Sequence, residues 1–307
     1  MKNQIKIEKV FELSGHATGI YSLTHGLKEN TVLTASADSF IASWDIEKRI
    51  ADEFSVKAEG GCYSAHYEKS QNLLWVGRVN GDVHVVDTRS KKEIKFFQLH
   101  KKGVFDIQYL PAQKLFLTAG GDGILGIWKA DDLTLLRNIQ LSDKKLRKIA
   151  VHKDGTLIAV SSSNGLIYLL ETDLFNSIET LRGDPQVVAG LAFHPQKPVL
   201  MSAGKNAHIK AWKIIDNKCE LLINVPAHNE IIYDIVFSPD EKYYATCSRD
   251  KTIKIWDAQT TDFITKIDFK ENAGHRRSVN TLYWSKFENI LVSAGDDAKL
   301  MGWKVST

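Results

Sequence analysis

The chain has few of the residues on which disulfide frameworks and metal sites depend. It contains three cysteines among 307 residues, Cys62, Cys219 and Cys247, without the close pairing or neighbouring histidines typical of zinc sites. A small odd number also argues against a disulfide framework and favours a reducing compartment. We therefore expect no metal and no other cofactor.

Long apolar segments are also missing. The start, MKNQIKIEKV, alternates apolar with charged residues where a signal peptide has a continuous apolar core. No run of about 18 apolar residues, the length of a membrane-spanning helix, occurs anywhere in the sequence. These absences predict a soluble, intracellular protein of the cytoplasm that does not enter a membrane.

Neither sign of charge dominates the sequence. The 40 basic and 37 acidic side chains give a formal net charge of +3, far from the strongly basic balance typical of nucleic-acid-binding proteins. Any electrostatic attraction must therefore come from local clusters. The hydrophobic fraction of 43% is sufficient for a substantial core.

What the sequence does contain is a repeat. Five segments align on a tryptophan followed by aspartate or lysine: TASADSFIASWD (34–45), TAGGDGILGIWK (118–129), SAGKNAHIKAWK (202–213), TCSRDKTIKIWD (246–257) and SAGDDAKLMGWK (293–304). Two weaker copies fill the gaps, VGRVNGDVHVVD (76–87) and VSSSNGLIYLLE (160–171), with Val86 and Leu170 at the tryptophan position. Seven units of near-constant length predict a single domain over residues 1–307.

The units have the pattern of short strands. Apolar residues alternate in short runs broken by turn signals such as SPDEK (238–242) and HKDG (152–155), and no helical period is sustained. A unit of this length holds about four strands of five to six residues with their turns. Seven four-stranded antiparallel sheets predict an all-β fold, a seven-bladed β-propeller.

The repeat resembles the WD-repeat (WD40-type) β-propeller family. Trp44-Asp45 and Trp256-Asp257 match its signature dipeptide, and Gly15-His16 and Gly274-His275 match the dipeptide that leads into a blade. The resemblance covers essentially all 307 residues. It implies a scaffold for protein interactions without enzymatic activity.

In that family a histidine before the blade, a serine or threonine on the second strand, an aspartate in the next turn and a tryptophan on the third strand form one hydrogen-bonded network. The four complete sets here are His16, Thr34, Asp38 and Trp44; His100, Thr118, Asp122 and Trp128; His228, Thr246, Asp250 and Trp256; and His275, Ser293, Asp297 and Trp303. Since an active site is needed once and this pattern occurs four times, we interpret the sets as structural. The blades that end at Val86, Leu170 and Trp212 lack a full set, and we expect mainly apolar packing to hold them.

The seventh unit needs a strand from elsewhere. Four residues follow Trp303, too few for a fourth strand. The N-terminal run QIKIEKVFEL (4–13) has the pattern of a strand, and the resemblance implies that it supplies the outer strand of the last blade. Because closure removes exposed sheet edges, we expect these residues to be needed for stability.

Motifs for catalysis are weak. The glycine cluster AGGDGILG (119–126) lacks the lysine of a phosphate-binding loop and falls at the tight turn of a repeat, and no nucleophile elbow occurs. We expect no catalytic residues. An enzyme that used the channel as a pocket would require a cofactor that the sequence does not reveal.

The family uses the top face, where the loops leading into the blades and the turns after the second strands gather, to bind partners. The candidate residues at this end of the channel are Tyr21, Tyr63, Phe105, Lys145, Arg147, Lys205, Tyr233 and Arg249. Aromatic and arginine side chains dominate interaction surfaces, so we predict a protein or peptide partner of acidic and apolar character.

Two other interpretations of these residues stay open. The rings could plug the channel mouth while the charges form a solvated rim. Alternatively, Lys145, Arg147, Lys205 and Arg249 could bind nucleic acid with stacking on Tyr233, an attraction that would weaken steeply as salt rises. We expect Arg147 to be exposed, because it lies outside every structural set.

Overall fold

The computed structural model describes residues 5–216 and 218–306. Its strands are, in chain order, β1 Lys6–Ser14, β2 Ile20–His25, β3 Thr31–Ser36, β4 Phe40–Asp45, β5 Ile50–Lys57, β6 Cys62–Glu68, β7 Leu73–Arg78, β8 Val83–Asp87, β9 Lys92–Phe97, β10 Val104–Leu110, β11 Leu115–Gly120, β12 Ile124–Lys129, β13 Leu135–Gln140, β14 Leu146–Val151, β15 Leu157–Ser162, β16 Leu166–Glu171, β17 Ser177–Arg182, β18 Val188–Phe193, β19 Val199–Gly204, β20 His208–Ile215, β21 Lys218–Pro226, β22 Ile232–Phe237, β23 Tyr243–Ser248, β24 Ile253–Asp257, β25 Phe263–Ile267, β26 Val279–Trp284, β27 Ile290–Gly295 and β28 Lys299–Ser306. A short helix, α1 (Phe269–Asn272), and a 3₁₀ turn (Phe287–Asn289) accompany them. No helix in the described part of the chain is long and apolar enough to cross a membrane.

The strands form seven four-stranded antiparallel sheets, which are the blades of a seven-bladed β-propeller. Blades 1 to 6 are each built from four consecutive strands: β2–β5, β6–β9, β10–β13, β14–β17, β18–β21 and β22–β25. Within blades 3 to 5, the first strand β10 contacts β14, and β14 contacts β18. The all-β, seven-bladed fold predicted from the repeat is confirmed.

Blade 7 joins the two ends of the chain. Its strand order is β1-β28-β27-β26, so the N-terminal strand is the outer strand of the last blade. The antiparallel register runs from Lys6 opposite Ser306 to Ser14 opposite Lys299. This pairing confirms the predicted closure of the ring, while Gln4, at the start of the predicted strand, lies outside the described residues.

Burial differs sharply between the strands of one blade. The second strands β3, β11 and β27 are buried at all six positions, which explains why none of them contains a charged residue. The fourth strands β9 and β13 are exposed at nearly every position. A blade therefore places its hydroxyl and indole side chains deep in the sheet and its charged strand outside.

Contacts divide the described residues into two compact units. One consists of residues 5–62 and 232–306, with blades 1, 6 and 7, and its core includes Phe11, Trp44 and Trp303. The other consists of residues 63–231 apart from 217, with blades 2 to 5 except the first residue of β6. Its core includes Trp75 and Trp128.

Candidate partner-binding site

The predicted sets of blades 1, 3 and 7 come together as hydrogen-bonded networks. In blade 1, His16 Nδ1 lies 2.9 Å from Asp38 Oδ2 and His16 Nε2 lies 2.7 Å from Thr34 Oγ1. Trp44 Nε1 donates to the same hydroxyl oxygen over 2.9 Å. In blade 3 the same three contacts join His100 to Asp122 over 3.2 Å, His100 to Thr118 over 2.8 Å and Trp128 to Thr118 over 3.0 Å. In blade 7 they join His275 to Asp297 over 2.9 Å, His275 to Ser293 over 2.8 Å and Trp303 to Ser293 over 2.8 Å.

The aspartates of these networks are held in the ionised form. Burial alone would raise the pKa of Asp38, but hydrogen bonds from the Ala17 amide and from His16 keep that pKa below its usual value. The pKa values of Asp122 and Asp297 are likewise lowered, against the effect of burial, by their histidines and by backbone amides. These carboxylates fix a turn and a histidine within each blade.

In blade 6 the indole of the predicted set contacts the hydroxyl. Trp256 Nε1 donates to Thr246 Oγ1 over 2.9 Å. Asp250 Oδ1 accepts from the amide and the hydroxyl of Thr252 over 3.0 and 2.7 Å. His228, the remaining member of the set, is buried and belongs to the other compact unit.

Blade 2, which has Val86 at the tryptophan position, is held largely by aromatic packing. Trp75 on β7 stacks on Phe116 with ring centroids 4.2 Å apart, and both rings are fully buried. Arg78, at the end of the same strand, is buried and lies 3.5 Å from Asp82 in an ion pair. The expectation of mainly apolar packing therefore describes this blade, with one buried ion pair added.

Blades 4 and 5 replace the missing histidine with other polar groups. In blade 4, Ser142 stands at the histidine position, and its hydroxyl oxygen accepts from Ser162 Oγ and Asn164 Nδ2, each over 3.0 Å. In blade 5, Asp184 stands there and accepts from the Asn206 amide over 2.9 Å. Apolar packing alone is thus an incomplete account of these two blades, because new networks satisfy their buried turns.

Four of the predicted top-face residues come together in the second compact unit. Tyr63, Phe105 and Arg147 are each the second residue of a first strand, in β6, β10 and β14. The rings of Tyr63 and Phe105 stack with centroids 5.1 Å apart. The Arg147 guanidinium carbon lies 5.1 Å and the Lys145 Nζ 5.4 Å from the Phe105 centroid. We call these four residues the Phe105 cluster.

Two glycines make room for the rings of this cluster. A Cβ atom on Gly103 would lie 2.9 Å from Tyr63 Cδ2, and one on Gly121 would lie 2.9 Å from Phe105 Cε2. Separations this short would force the rings to move. The repeated glycines of the sequence thus let each ring lie against the backbone, which fixes its position.

The two cations of the cluster differ in their surroundings. Arg147 is half-buried, so the expectation that it is exposed was wrong. Its Nε donates to Ser163 Oγ over 2.7 Å while its guanidinium lies beside Phe105. Lys145 is exposed, and no ion pair among the described residues includes it. The cluster therefore combines one half-buried, hydrogen-bonded cation with one exposed cation.

The other four predicted residues are divided between the two compact units. Lys205, in the same unit as the Phe105 cluster, is exposed in the turn after β19. Tyr21, Tyr233 and Arg249 belong to the first unit. Tyr21 is 39% exposed, Tyr233 is half-buried at the second position of β22, and Arg249 is exposed after β23.

Two buried aspartates that the sequence analysis missed link neighbouring first strands. Asp106 directly follows Phe105, and its Oδ2 accepts from the Ile149 amide over 2.8 Å. Asp234 Oδ2 accepts from the Leu282 amide over 3.1 Å. The available signal was an aspartate inside the otherwise largely apolar strands VFDIQYL and IYDIVF, where a lone charge requires a buried partner.

The Phe105 cluster combines the kinds of side chain that are suited to binding. Ring faces bury apolar groups, and cations beside them attract carboxylates. Among the residues that the structure describes, no group of three or more histidine, cysteine, aspartate or glutamate side chains is placed to hold a metal ion.

Comparison with known proteins identifies the repeat. The family model "WD domain, G-beta repeat" matches residues 7–45, 91–129, 175–213, 219–257 and 268–304, together more than half of the chain. WD repeat-containing protein 55 of Bos taurus is 27% identical over an alignment of 282 positions that covers 88% of this chain and 72% of that protein. WD repeat-containing protein VIP3 of Arabidopsis thaliana is 24% identical over 64% of each chain. U3 small nucleolar RNA-associated protein 21 of Saccharomyces cerevisiae is 23% identical over 75% of this chain and 24% of its own length. The protein therefore belongs to the family of WD domain, G-beta repeat proteins.

Proposed function

We propose that this protein is a non-enzymatic scaffold that binds a protein or peptide segment with acidic and apolar side chains at the Phe105 cluster. The observation that carries the proposal is the pair of stacked rings with a guanidinium and an ammonium group over one of them. Aromatic and arginine side chains that are held together supply most of the binding energy of protein interfaces.

The cluster is organised before a partner arrives. Because Arg147 is fixed by the Ser163 hydroxyl and the Phe105 ring, it loses little conformational entropy on binding. Lys145 is exposed beside the same ring and adds a second charge for a carboxylate. A segment that places an acidic residue next to an apolar one would satisfy both features.

The rest of the molecule supports a binding role over catalysis. The repeated histidine, hydroxyl and carboxylate groups make contacts within their own blades, as in the network of His16, Thr34 and Asp38. The proposal includes a cytoplasmic location, since Cys62, Cys219 and Cys247 are all free thiols, as a reducing compartment would keep them. A fluorescent fusion observed in cells tests that location.

The experiment that tests the proposal is a comparative capture from cell lysate. The baits are the wild type, Arg147→Glu and the matched control Lys153→Glu, an exposed charge reversal just beyond the other end of β14. Captured proteins are identified by mass spectrometry, and binding of a purified candidate is then measured by calorimetry. We expect a partner that the wild type and the control bind equally and that Arg147→Glu binds at least tenfold more weakly. Equal capture by all three baits would contradict the proposal.

A second candidate function is association with RNA. It is supported by the name of the yeast relative, a U3 small nucleolar RNA-associated protein, and by the cations Lys145, Arg147 and Lys205 in one unit. Nuclease treatment of the lysate distinguishes the two functions, because it removes partners that are held only through RNA. Direct binding of a 12-nucleotide single-stranded RNA should then fall steeply between about 50 and 200 mM salt.

A further inference from the structure

The first compact unit contains a further candidate surface. A cavity of about 280 Å³ opens between the turn after β23 and the loop that leads into blade 7. Lys251, Phe269, Lys270 and Arg276 line it, together with acidic groups of the same segments. We call this cavity the blade 6–7 pocket. None of its residues belongs to the Phe105 cluster.

The pocket is formed by extra residues in one repeat. The segment from Trp256 to Trp303 is longer than the corresponding segment of the other units, and α1 lies within it. The helix is fixed at both ends, because Asp268 accepts from the Glu271 amide over 2.9 Å and the Ala273 carbonyl accepts from Lys9 Nζ over 3.0 Å. The helix lies between β25 and β26 in the chain, and it places Phe269 and Lys270 at the pocket.

The charges of the pocket are unevenly satisfied. Asp268 forms an ion pair with Lys266 over 2.8 Å, and Asp250 accepts from Thr252. Lys251 and Lys270, by contrast, are exposed, and no ion pair among the described residues includes either of them. The acidic groups are thus occupied within the protein while the cations are available to a partner.

An aromatic ring and a guanidinium group complete the pocket. The Arg276 guanidinium carbon lies 4.5 Å from the centroid of the Phe269 ring, which is 46% exposed. The Arg276 amide donates to Asp297 Oδ2 over 3.1 Å, so the network of blade 7 holds the backbone beside the ring. An exposed ring with a cation over it presents an apolar face and a carboxylate-binding fork side by side.

We infer that the blade 6–7 pocket binds an acidic peptide segment of a partner protein. A carboxylate of the peptide contacts Arg276 and Lys270, and a neighbouring apolar side chain covers Phe269. The cavity is slightly smaller than the roughly 300–1,000 Å³ typical of sites for whole small molecules, which favours single side chains of a peptide.

The test uses a phage library of random 12-residue peptides selected on the full chain. A peptide that is enriched is synthesised with a fluorophore, and its dissociation constant is measured by anisotropy for the wild type, Lys270→Glu, Arg276→Glu, Arg147→Glu and Lys286→Glu. Lys286 is exposed and does not line the pocket, so its charge reversal is the matched control. Melting curves establish that each variant is folded. If Arg276→Glu does not fold, the binding measured for Lys270→Glu alone is sufficient to test the inference.

The inference predicts enriched peptides that carry aspartate or glutamate beside phenylalanine, leucine or tryptophan. Lys270→Glu and Arg276→Glu should bind them at least tenfold more weakly, while Arg147→Glu and Lys286→Glu bind as the wild type does. Enrichment of no peptide, peptides without an acidic excess, or equal binding by all variants would overturn it. So would loss of binding in Arg147→Glu alone, which would instead support the Phe105 cluster, or displacement of the peptides by a 12-nucleotide single-stranded RNA.

Discussion

The guanidinium carbon of Arg147 lies 5.1 Å from the centre of the Phe105 ring. The two residues belong to the first strands of neighbouring blades, β14 and β10. The contact therefore joins two blades at the same time as it forms the proposed binding surface. Loss of the contact between Arg147 and Phe105 should therefore lower both the stability of the protein and its affinity for a partner. Unfolding and binding experiments measure the two effects separately.

A double-mutant cycle should detect coupling between these two residues. Phe105→Ala and Arg147→Ala each remove the cation–π contact, which is worth about 0.5–1 kcal/mol at a partly exposed site. Urea unfolding of the wild type, both single variants and the double variant measures the coupling free energy. The control cycle pairs Phe105→Ala with Lys153→Ala, which should be additive. Additivity in both cycles would show that the contact contributes nothing to stability.

The buried aspartate beside the cluster should matter more for folding. Asp106→Ala leaves the Ile149 amide without its acceptor, so we expect a loss of about 1–3 kcal/mol in the free energy of unfolding. Asp106→Asn retains a carbonyl oxygen and should lose less. Asp143→Ala is the control, because that carboxylate is 77% exposed. Equal urea midpoints for the Asp106→Ala variant and the wild type would show that this link is dispensable.

The repeated pattern made the fold predictable. The tryptophan of each of the five aligned segments is preceded at a fixed distance by a hydroxyl residue. Contacts such as Trp44 to Thr34 are local enough for spacing alone to imply them. The need to cover a sheet edge likewise predicted that β1 would join blade 7. Both the spacing within a repeat and the missing strand of the last unit can be seen in the sequence, so both features of the fold could be predicted from it.

Contacts between neighbouring blades were harder to predict. Arg147 is half-buried because the ring of Phe105, 42 positions earlier, lies beside it. Ser142 and Asp184 replace histidines with different geometries, and no rule of spacing indicates which polar group completes a buried turn. The blade 6–7 pocket arises from an irregular spacing, which signals an insertion without showing its shape.

Packing of the Phe11 side chain should hold the N-terminal strand β1 against β28. This side chain is buried in the core of blades 1 and 7, and a Cβ atom on Gly302 would overlap its ring. We expect Phe11→Ala to cost about 3–5 kcal/mol through the cavity that it leaves. Gly302→Ala should cost about 1–3 kcal/mol through overpacking.

The two changes should compensate each other when they are combined. The methyl group of Gly302→Ala enters the space left by Phe11→Ala, so the double variant should lose less stability than the two single losses predict. Thermal and urea unfolding of the four proteins measure this difference. Strict additivity would mean that the ring of Phe11 does not lie over Gly302 in solution.

Acid should weaken the blades through their network aspartates. Hydrogen bonds lower the pKa values of Asp38, Asp122 and Asp297 in the folded protein. At a pH near the ordinary aspartate pKa of about 3.9, the unfolded chain therefore binds more protons than the folded one. The stability contributed by these groups is complete above that pH, and it is lost as the pH falls through the lower folded values.

Melting temperatures measured from pH 7 to pH 3 test whether the network aspartates stabilise the protein less as the pH falls. The comparison is with Asp297→Asn, which lacks the charge but keeps a side chain of the same size. The variant should melt below the wild type at pH 7, because an amide accepts more weakly than a carboxylate from His275 and the Arg276 amide. The gap should narrow towards pH 3, since Asp297 of the unfolded wild-type chain is then protonated and the stability that its charge contributes to the folded protein falls. A gap that stays constant across this range would show that the carboxylate of Asp297 is not ionised in the folded protein or that its charge contributes nothing to stability.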